Sequence, residues 1–185
     1  MNKSKHKASD SLVYPFAFVA LLWVIKFYEV FTHTDLSVYG ILPRTSRGLI
    51  GIVVSPLIHG NFSHLISNSL PLLILGIIVF NFYRKIAFDV FFWIYFISGI
   101  CVWIIGEEAY HIGASGIVYG FISFLIFSGI FRGELKSLLL AILVLVVYGG
   151  VIWGILPGQA GISWQSHLFG AIAGAMVAYV YRNVR

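Results

Sequence analysis

Residues 113–131 read GASGIVYGFISFLIFSGIF, a run without a single charge and long enough to cross a hydrocarbon core of about 30 Å as a helix. Ser115 sits inside it between glycines, in Gly113-Ala114-Ser115-Gly116. Five more apolar runs flank this one, at 11–31, 64–83, 88–106, 137–155 and 164–181. Each approaches the ~20 residues that a membrane-crossing helix needs. The chain is 59% hydrophobic and only 10% charged. Soluble domains carry roughly a quarter charged residues, so this chain lacks the charge to cover a water-facing surface. The reading is an all-α polytopic membrane protein, six transmembrane helices in one bundle. It predicts a single domain over 1–185, with a short basic N-terminus at 1–10, a first outer loop at 32–63 and no soluble domain.

Charge placement predicts the topology. With alternating helices, Lys3, Lys5, Lys7, Arg84, Lys85, Arg132, Lys136, Arg182 and Arg185 fall on one side, against Arg44 and Arg47 on the other. The positive-inside rule then puts both termini in the cytosol. The net charge of +5 is thus a topology signal and not a nucleic-acid-binding face. The first run follows a basic start but exceeds a signal-peptide core, and no small-x-small cleavage site follows it, so it reads as an uncleaved span. The single Cys101 excludes an internal disulfide. In the outer loop, the apolar stretch 48–54 ends at Pro56 and is expected to lie partly in the membrane interface.

Polar groups inside lipid-embedded helices are costly and mark function. Counted at about 1.5 Å per residue from the cytosolic basic residue of each helix, Ser115 lies about 26 Å from Arg132. On the same count His167 lies about 22 Å from Arg182, Asn68 about 24 Å from Arg84 and His64 about 30 Å. Three helices thus bring polar groups to the outer third of the bilayer. A serine hydroxyl becomes a nucleophile when a base within hydrogen-bond reach takes its proton, and His167 suits that task. Gly116 and Gly120 in the fourth span, and Gly170 and Gly174 in the sixth, form small-xxx-small pairs that let helix backbones approach closely. Gly170 and Gly174 stand at i+3 and i+7 from His167, on the face that carries the imidazole. Either residue alone reads as packing; together they read as a catalytic pair.

His64 and Asn68 share a helical face at i,i+4. Acyl transfer needs donors aimed at the developing oxyanion, and these two side chains supply them beside the Ser115 backbone N–H, free near the start of its helix. No acidic residue lies in the fourth or sixth span, so a Ser-His dyad is simpler than a triad. Something else must then hold the imidazole. Tyr119, one turn after Ser115, is placed to stack on it.

These motifs resemble the rhomboid family of intramembrane serine proteases across all six spans. Gly113-Ala114-Ser115-Gly116 is similar to the family's G-x-S-G nucleophile motif, and His167-Leu168-Phe169-Gly170 with Gly174 to its H-x-x-G-x-x-x-G motif. His64 through Asn68 resembles the second-span H-x-x-x-N motif. Tyr119 occupies the position of the tyrosine that packs on the catalytic histidine, and His59 matches a histidine often found upstream. The resemblance implies Ser115 as nucleophile, His167 as general base, and an oxyanion hole of His64, Asn68 and the Ser115 N–H. It implies no metal or other cofactor, and a cavity open to the outside of a bacterial plasma membrane. The partners it implies are transmembrane protein substrates and the lipid bilayer, not nucleic acid; the oligomeric state is left open. Cleavage is expected near the outer face, with small residues before the cut and helix-weakening residues after it. One departure stands out: Leu49-Ile50-Gly51-Ile52 replaces the Trp-Arg of many relatives. The chain otherwise resembles the minimal prokaryotic form.

The remaining polar residues read as structural. His59 is expected to make a structural hydrogen bond, and Lys26 and Glu29 to snorkel to the interface. Glu107 and His111 would pair or ligate a metal only if helical. Two other functions compete: an inactive rhomboid-like protein that binds membrane proteins without cutting them, and a small transporter or channel. The first usually lacks the serine or the histidine. The second lacks support in an inverted repeat or a charged pathway.

Overall fold

The computed structural model describes residues 10–158 and 161–184. Lys3, Lys5, Lys7 and Arg185, which enter the charge count, fall outside them, as does part of the connection at 157–161. Seven α-helices follow in order: α1 (Asp10–Thr32), α2 (Gly48–Val54), α3 (Phe62–Phe82), α4 (Ala87–Ile105), α5 (Ser115–Arg132), α6 (Leu135–Tyr148) and α7 (Trp164–Val180). Among the described residues there is no strand, only an isolated bridge between Ile41 and His111. Five segments are helical, long and apolar enough to cross a membrane: α1, α3, α4, α5, and α6 with the 3-10 turn that extends it to Ile155. α7 is apolar but shorter, at 17 residues.

α5 is the centre of the bundle. Of its apolar window 61% is buried within the protein, against 11% for α6. That contrast follows from composition. α5 carries Gly116, Gly120 and Gly129 with buried Ile117, Phe121 and Phe124, so neighbours approach on several sides. α6 is Leu- and Val-rich all round and leaves Leu139, Leu143 and Val146 uncovered by protein, suited to lipid. α7 packs most extensively on α5, and α4 closes over both. α1 leans on α3, where the Trp23 indole N–H donates to Ser69 Oγ at 3.0 Å.

The connection between α1 and α3, expected on the outer side, is not a plain loop. It holds a 3-10 turn at Leu36–Tyr39, then α2, then a second turn at Ser55–Leu57. α2 is the apolar stretch expected at the interface, and Leu49, Ile50 and Val53 point away from the protein. Without Trp-Arg, the connection is tied to the end of α4 by other groups. Arg44 N–H donates to Trp103 O at 2.9 Å, the Arg44 guanidinium to Gly106 O at 2.7 Å, and the Trp103 indole to Thr45 O at 2.9 Å.

Lys26 and Glu29 correct the snorkelling expectation: both are buried, 7% and 9% exposed. Lys26 Nζ donates to Glu29 Oε2 at 2.8 Å, His59 O at 2.9 Å and Gly60 O at 3.2 Å. Glu29 Oε1 accepts from Leu36 N–H at 3.2 Å. The pair ties both ends of the α1–α3 connection to α1. Loop carbonyls within reach replace the water that snorkelling would have sought.

Candidate active site

A cavity of about 1060 Å³ is lined by Ser115, Tyr119, His167, His64 and Asn68, together with Tyr148, Val151, Tyr110 and His111. Ser115 is the first residue of α5. It gets there by a turn at Gly113, whose φ of +105° is strained for any residue with a side chain. A Cβ at Gly113 would lie 2.6 Å from His64 Cε1 and 2.7 Å from Nε2. The missing side chain thus also makes room for the imidazole from α3. Asn68 Nδ2 lies 3.8 Å from the same point. The i,i+4 pair on α3 therefore converges on the turn that presents the serine.

At the first position of its helix the Ser115 N–H has no intrahelical partner, as expected for an N-terminal donor. Asn68 spends one amide N–H on His64 O at 3.1 Å and keeps the other. Ser115, His167 and Asn68 are all buried, and all three line the cavity.

The contact between α5 and α7 explains how a serine and a histidine on different helices meet. A Cβ on Gly170 would lie 2.1 Å from Gly116 O, and one on Gly174 would lie 2.1 Å from Gly120 O. No side chain fits at either point, so the two backbones touch. His167 is one turn above Gly170 on this contact. Among the described residues no hydrogen bond joins Ser115 Oγ to His167; both groups open onto the same cavity. Catalytic hydrogen bonds are often long in an empty site and tighten when substrate binds.

What holds the imidazole is a backbone atom that side-chain reasoning does not reach. His167 Nδ1 lies 2.9 Å from Gly154 O, in the 3-10 turn after α6. A carbonyl only accepts, so Nδ1 carries a proton, and in the neutral ring Nε2 then keeps the lone pair, the tautomer a general base requires. Tyr119 lies flat on the ring, with centroids 4.1 Å apart and planes 8° from parallel. Its hydroxyl donates to Val151 O at 2.8 Å in the same turn. The nearest sequence signal was Gly149, Gly150 and Gly154, which interrupt an otherwise apolar run.

His59 is buried behind the site. Its Nε2 accepts from Ala114 N–H at 3.5 Å, and its ring meets His64 edge-on at 5.1 Å. Burial, reinforced by the neighbouring His64, pushes its pKa down to about 4, so it acts as a neutral acceptor. Glu107 and His111 are not on a helix. His111 Nε2 donates to the backbone O of Glu107 at 3.0 Å, and Nδ1 lies 2.6 Å from Ser163 Oγ. Among the described residues no group of three or more His, Cys, Asp or Glu is placed to hold a metal ion.

Residues 46–184 match the model of the Rhomboid domain. An uncharacterised protein of Mycobacterium tuberculosis is 37% identical, covering 88% of this chain and 72% of its own length. One from Mycobacterium bovis gives the same figures, and one from Mycobacterium leprae is 36% identical, covering 88% and 68%. No solved structure gives a significant match. With a match over most of its length, this multi-pass membrane protein belongs to the rhomboid family.

Proposed function

We propose that the chain is an intramembrane serine endopeptidase that cuts transmembrane segments of other membrane proteins near the outer face. In this reading six helices span the plasma membrane of a bacterium, α7 being the sixth, and both termini are cytosolic. Ser115 Oγ attacks the scissile carbonyl while His167 Nε2 takes its proton, giving an acyl-enzyme once that proton passes to the leaving amine. Water then enters from the outer side, His167 again removes a proton, and the acyl group is released as a carboxylate. The tetrahedral oxyanion is stabilised by the Ser115 N–H, the free Asn68 amide N–H and His64.

The observation that carries the reading is how His167 is held. A carbonyl at 2.9 Å from Nδ1 and a stacked tyrosine at 4.1 Å hold the imidazole so that Nε2 is left for the substrate side, with a serine at a helix N-terminus lining the same cavity. A packing histidine needs none of this. The test is a fluorophosphonate probe, because only an activated serine reacts covalently, combined with cleavage of a transmembrane substrate in proteoliposomes. Labelling and cleavage are expected in the unaltered protein and absent in Ser115→Ala, which removes one oxygen. Cleavage that survives in purified Ser115→Ala would sink the nucleophile assignment. Binding of membrane proteins with neither labelling nor cleavage would favour the non-catalytic relative.

A further inference from the structure

His111 and Ser163 have no part in the chemistry just described, yet they join the two halves of the dyad. His111 precedes Ser115 by four residues, and Ser163 precedes His167 by four. His111 Nδ1 and Ser163 Oγ are 2.6 Å apart. Each residue is anchored in turn. His111 is 4% exposed, exchanges both backbone hydrogen bonds with Ile41 at 2.9 Å, and donates from Nε2 to Glu107 O. Ser163 is the N-cap of α7: its Oγ accepts from Ser166 N–H at 3.3 Å and lies 2.6 Å from Ser166 Oγ, while its carbonyl accepts from His167 N–H at 3.3 Å.

We propose that His111 is a positioning residue that, through Ser163, fixes the first turn of α7 relative to the turn carrying Ser115, and so sets how closely His167 approaches the nucleophile. This role rests on the protease reading of the cavity. The glycine contacts at Gly116–Gly170 and Gly120–Gly174 fix the spacing of the helices below the site, but His167 stands above them, in the first turn of α7. The Gly154 carbonyl and the Tyr119 ring hold the imidazole itself, and a cap hydroxyl held from outside its own helix ties the backbone at that level. The network is saturated. With Nε2–H on Glu107 O, Nδ1 accepts the Ser163 hydroxyl proton, and Ser163 Oγ accepts from Ser166 N–H and Ser166 O–H. Ser163→Ala loses cap and link together, His111→Phe loses the link and the bond to Glu107 O but keeps the cap, and Ser163→Thr keeps a hydroxyl at both duties.

The full-length protein in proteoliposomes is compared as His111→Phe, Ser163→Ala, their double variant and Ser163→Thr. Ser69→Ala serves as a stability control, since it loses the hydrogen bond from Trp23 that ties α1 to α3. The readouts are the rate of fluorophosphonate labelling of Ser115, kcat and KM on a transmembrane substrate, and thermal unfolding. His111→Phe and Ser163→Ala should each slow labelling and lower kcat by about 10- to 100-fold, the scale of a misplacement near 1 Å. KM should change little. The double variant should be no worse than the poorer single one, and Ser163→Thr should recover most of the rate. Ser69→Ala should lose thermal stability and keep its labelling rate. A labelling rate in His111→Phe equal to that of Ser69→Ala, at matched stability, would overturn the positioning role alone. Failure of the unaltered protein to label at all would overturn the protease reading, and this role with it.

Discussion

The Tyr119 ring lies flat on the His167 imidazole at 4.1 Å, and its hydroxyl reaches the turn whose Gly154 carbonyl holds the other edge of that imidazole. The imidazole is thus clamped between a side chain of α5 and the backbone after α6. In a soluble triad a carboxylate does this work and also stabilises the imidazolium. A carbonyl orients the ring without bringing a full charge into the site.

That clamp predicts an order of effects. Tyr119→Phe keeps the stack and loses one hydrogen bond, so kcat should fall by less than about 10-fold. Tyr119→Ala removes the stack and should cost on the order of 10²-fold. Gly154→Ala should resemble Tyr119→Ala, because its Cβ would lie 2.0 Å from the Tyr119 hydroxyl and 3.2 Å from His167 Nδ1. Cleavage assays and probe labelling of the three variants check the order. Full activity in Tyr119→Ala would remove the stack from the mechanism.

Gly170→Val and Gly174→Val should inactivate by parting α5 from α7. The obstructing atoms are backbone oxygens of Gly116 and Gly120, which cannot swing aside as a side-chain tip could. Both variants should lose probe labelling and also unfold at lower temperature, whereas Ser115→Ala should unfold close to the unaltered protein. Strong labelling of Gly170→Val would mean that the helices do not meet through this glycine face.

How much of this was legible in the sequence depends on which atoms carry it. The α5–α7 contact is legible because small residues at i and i+4 on two spans have few other uses in lipid. The stack of Tyr119 on His167 is legible from its one-turn spacing after Ser115. Gly154 is not, since its contribution is a carbonyl that every residue owns. Lys26 and Glu29 show the same spacing whether they snorkel or pair inward, and only the position of the His59 and Gly60 carbonyls decides between the two. α2 is hidden because a seven-residue helix with two glycines is too short for a periodic signal. The link from His111 to Ser163 spans 52 positions between two connections, where no periodicity reaches.

Asn68→Ala and His64→Ala should lower kcat with little change in probe access to Ser115. Loss of one oxyanion donor costs about 10²–10³-fold in a soluble protease. Here the Ser115 N–H and the remaining side chain share the load, so each single loss should be smaller and the double loss larger. Kinetics on one transmembrane substrate measure this. If the double variant kept the kcat of the unaltered protein, the two side chains would be structural only.

The buried pair on α1 gives a prediction about assembly of the site from a distance. Lys26→Met leaves Glu29 as an uncompensated buried charge and takes a donor from both His59 O and Gly60 O. Breaking one side of a buried pair typically costs about 3–5 kcal/mol, whereas replacing both partners by apolar groups is often close to neutral. Lys26→Met should therefore unfold at a clearly lower temperature, and adding Glu29→Leu should restore much of the loss. Activity should not follow stability in that rescue. The double variant still lacks the tie on the segment that carries the His59 ring to Ala114 N–H and leads into the Asn61 cap of α3, where Asn61 Oδ1 accepts from His64 N–H at 2.8 Å. Its kcat should stay below that of the unaltered protein even after its stability has recovered. Thermal unfolding and kcat measured on the same preparations separate the two effects. Recovery of both together would reduce the Lys26–Glu29 pair to a fold-stabilising contact with no bearing on the oxyanion side of the cavity.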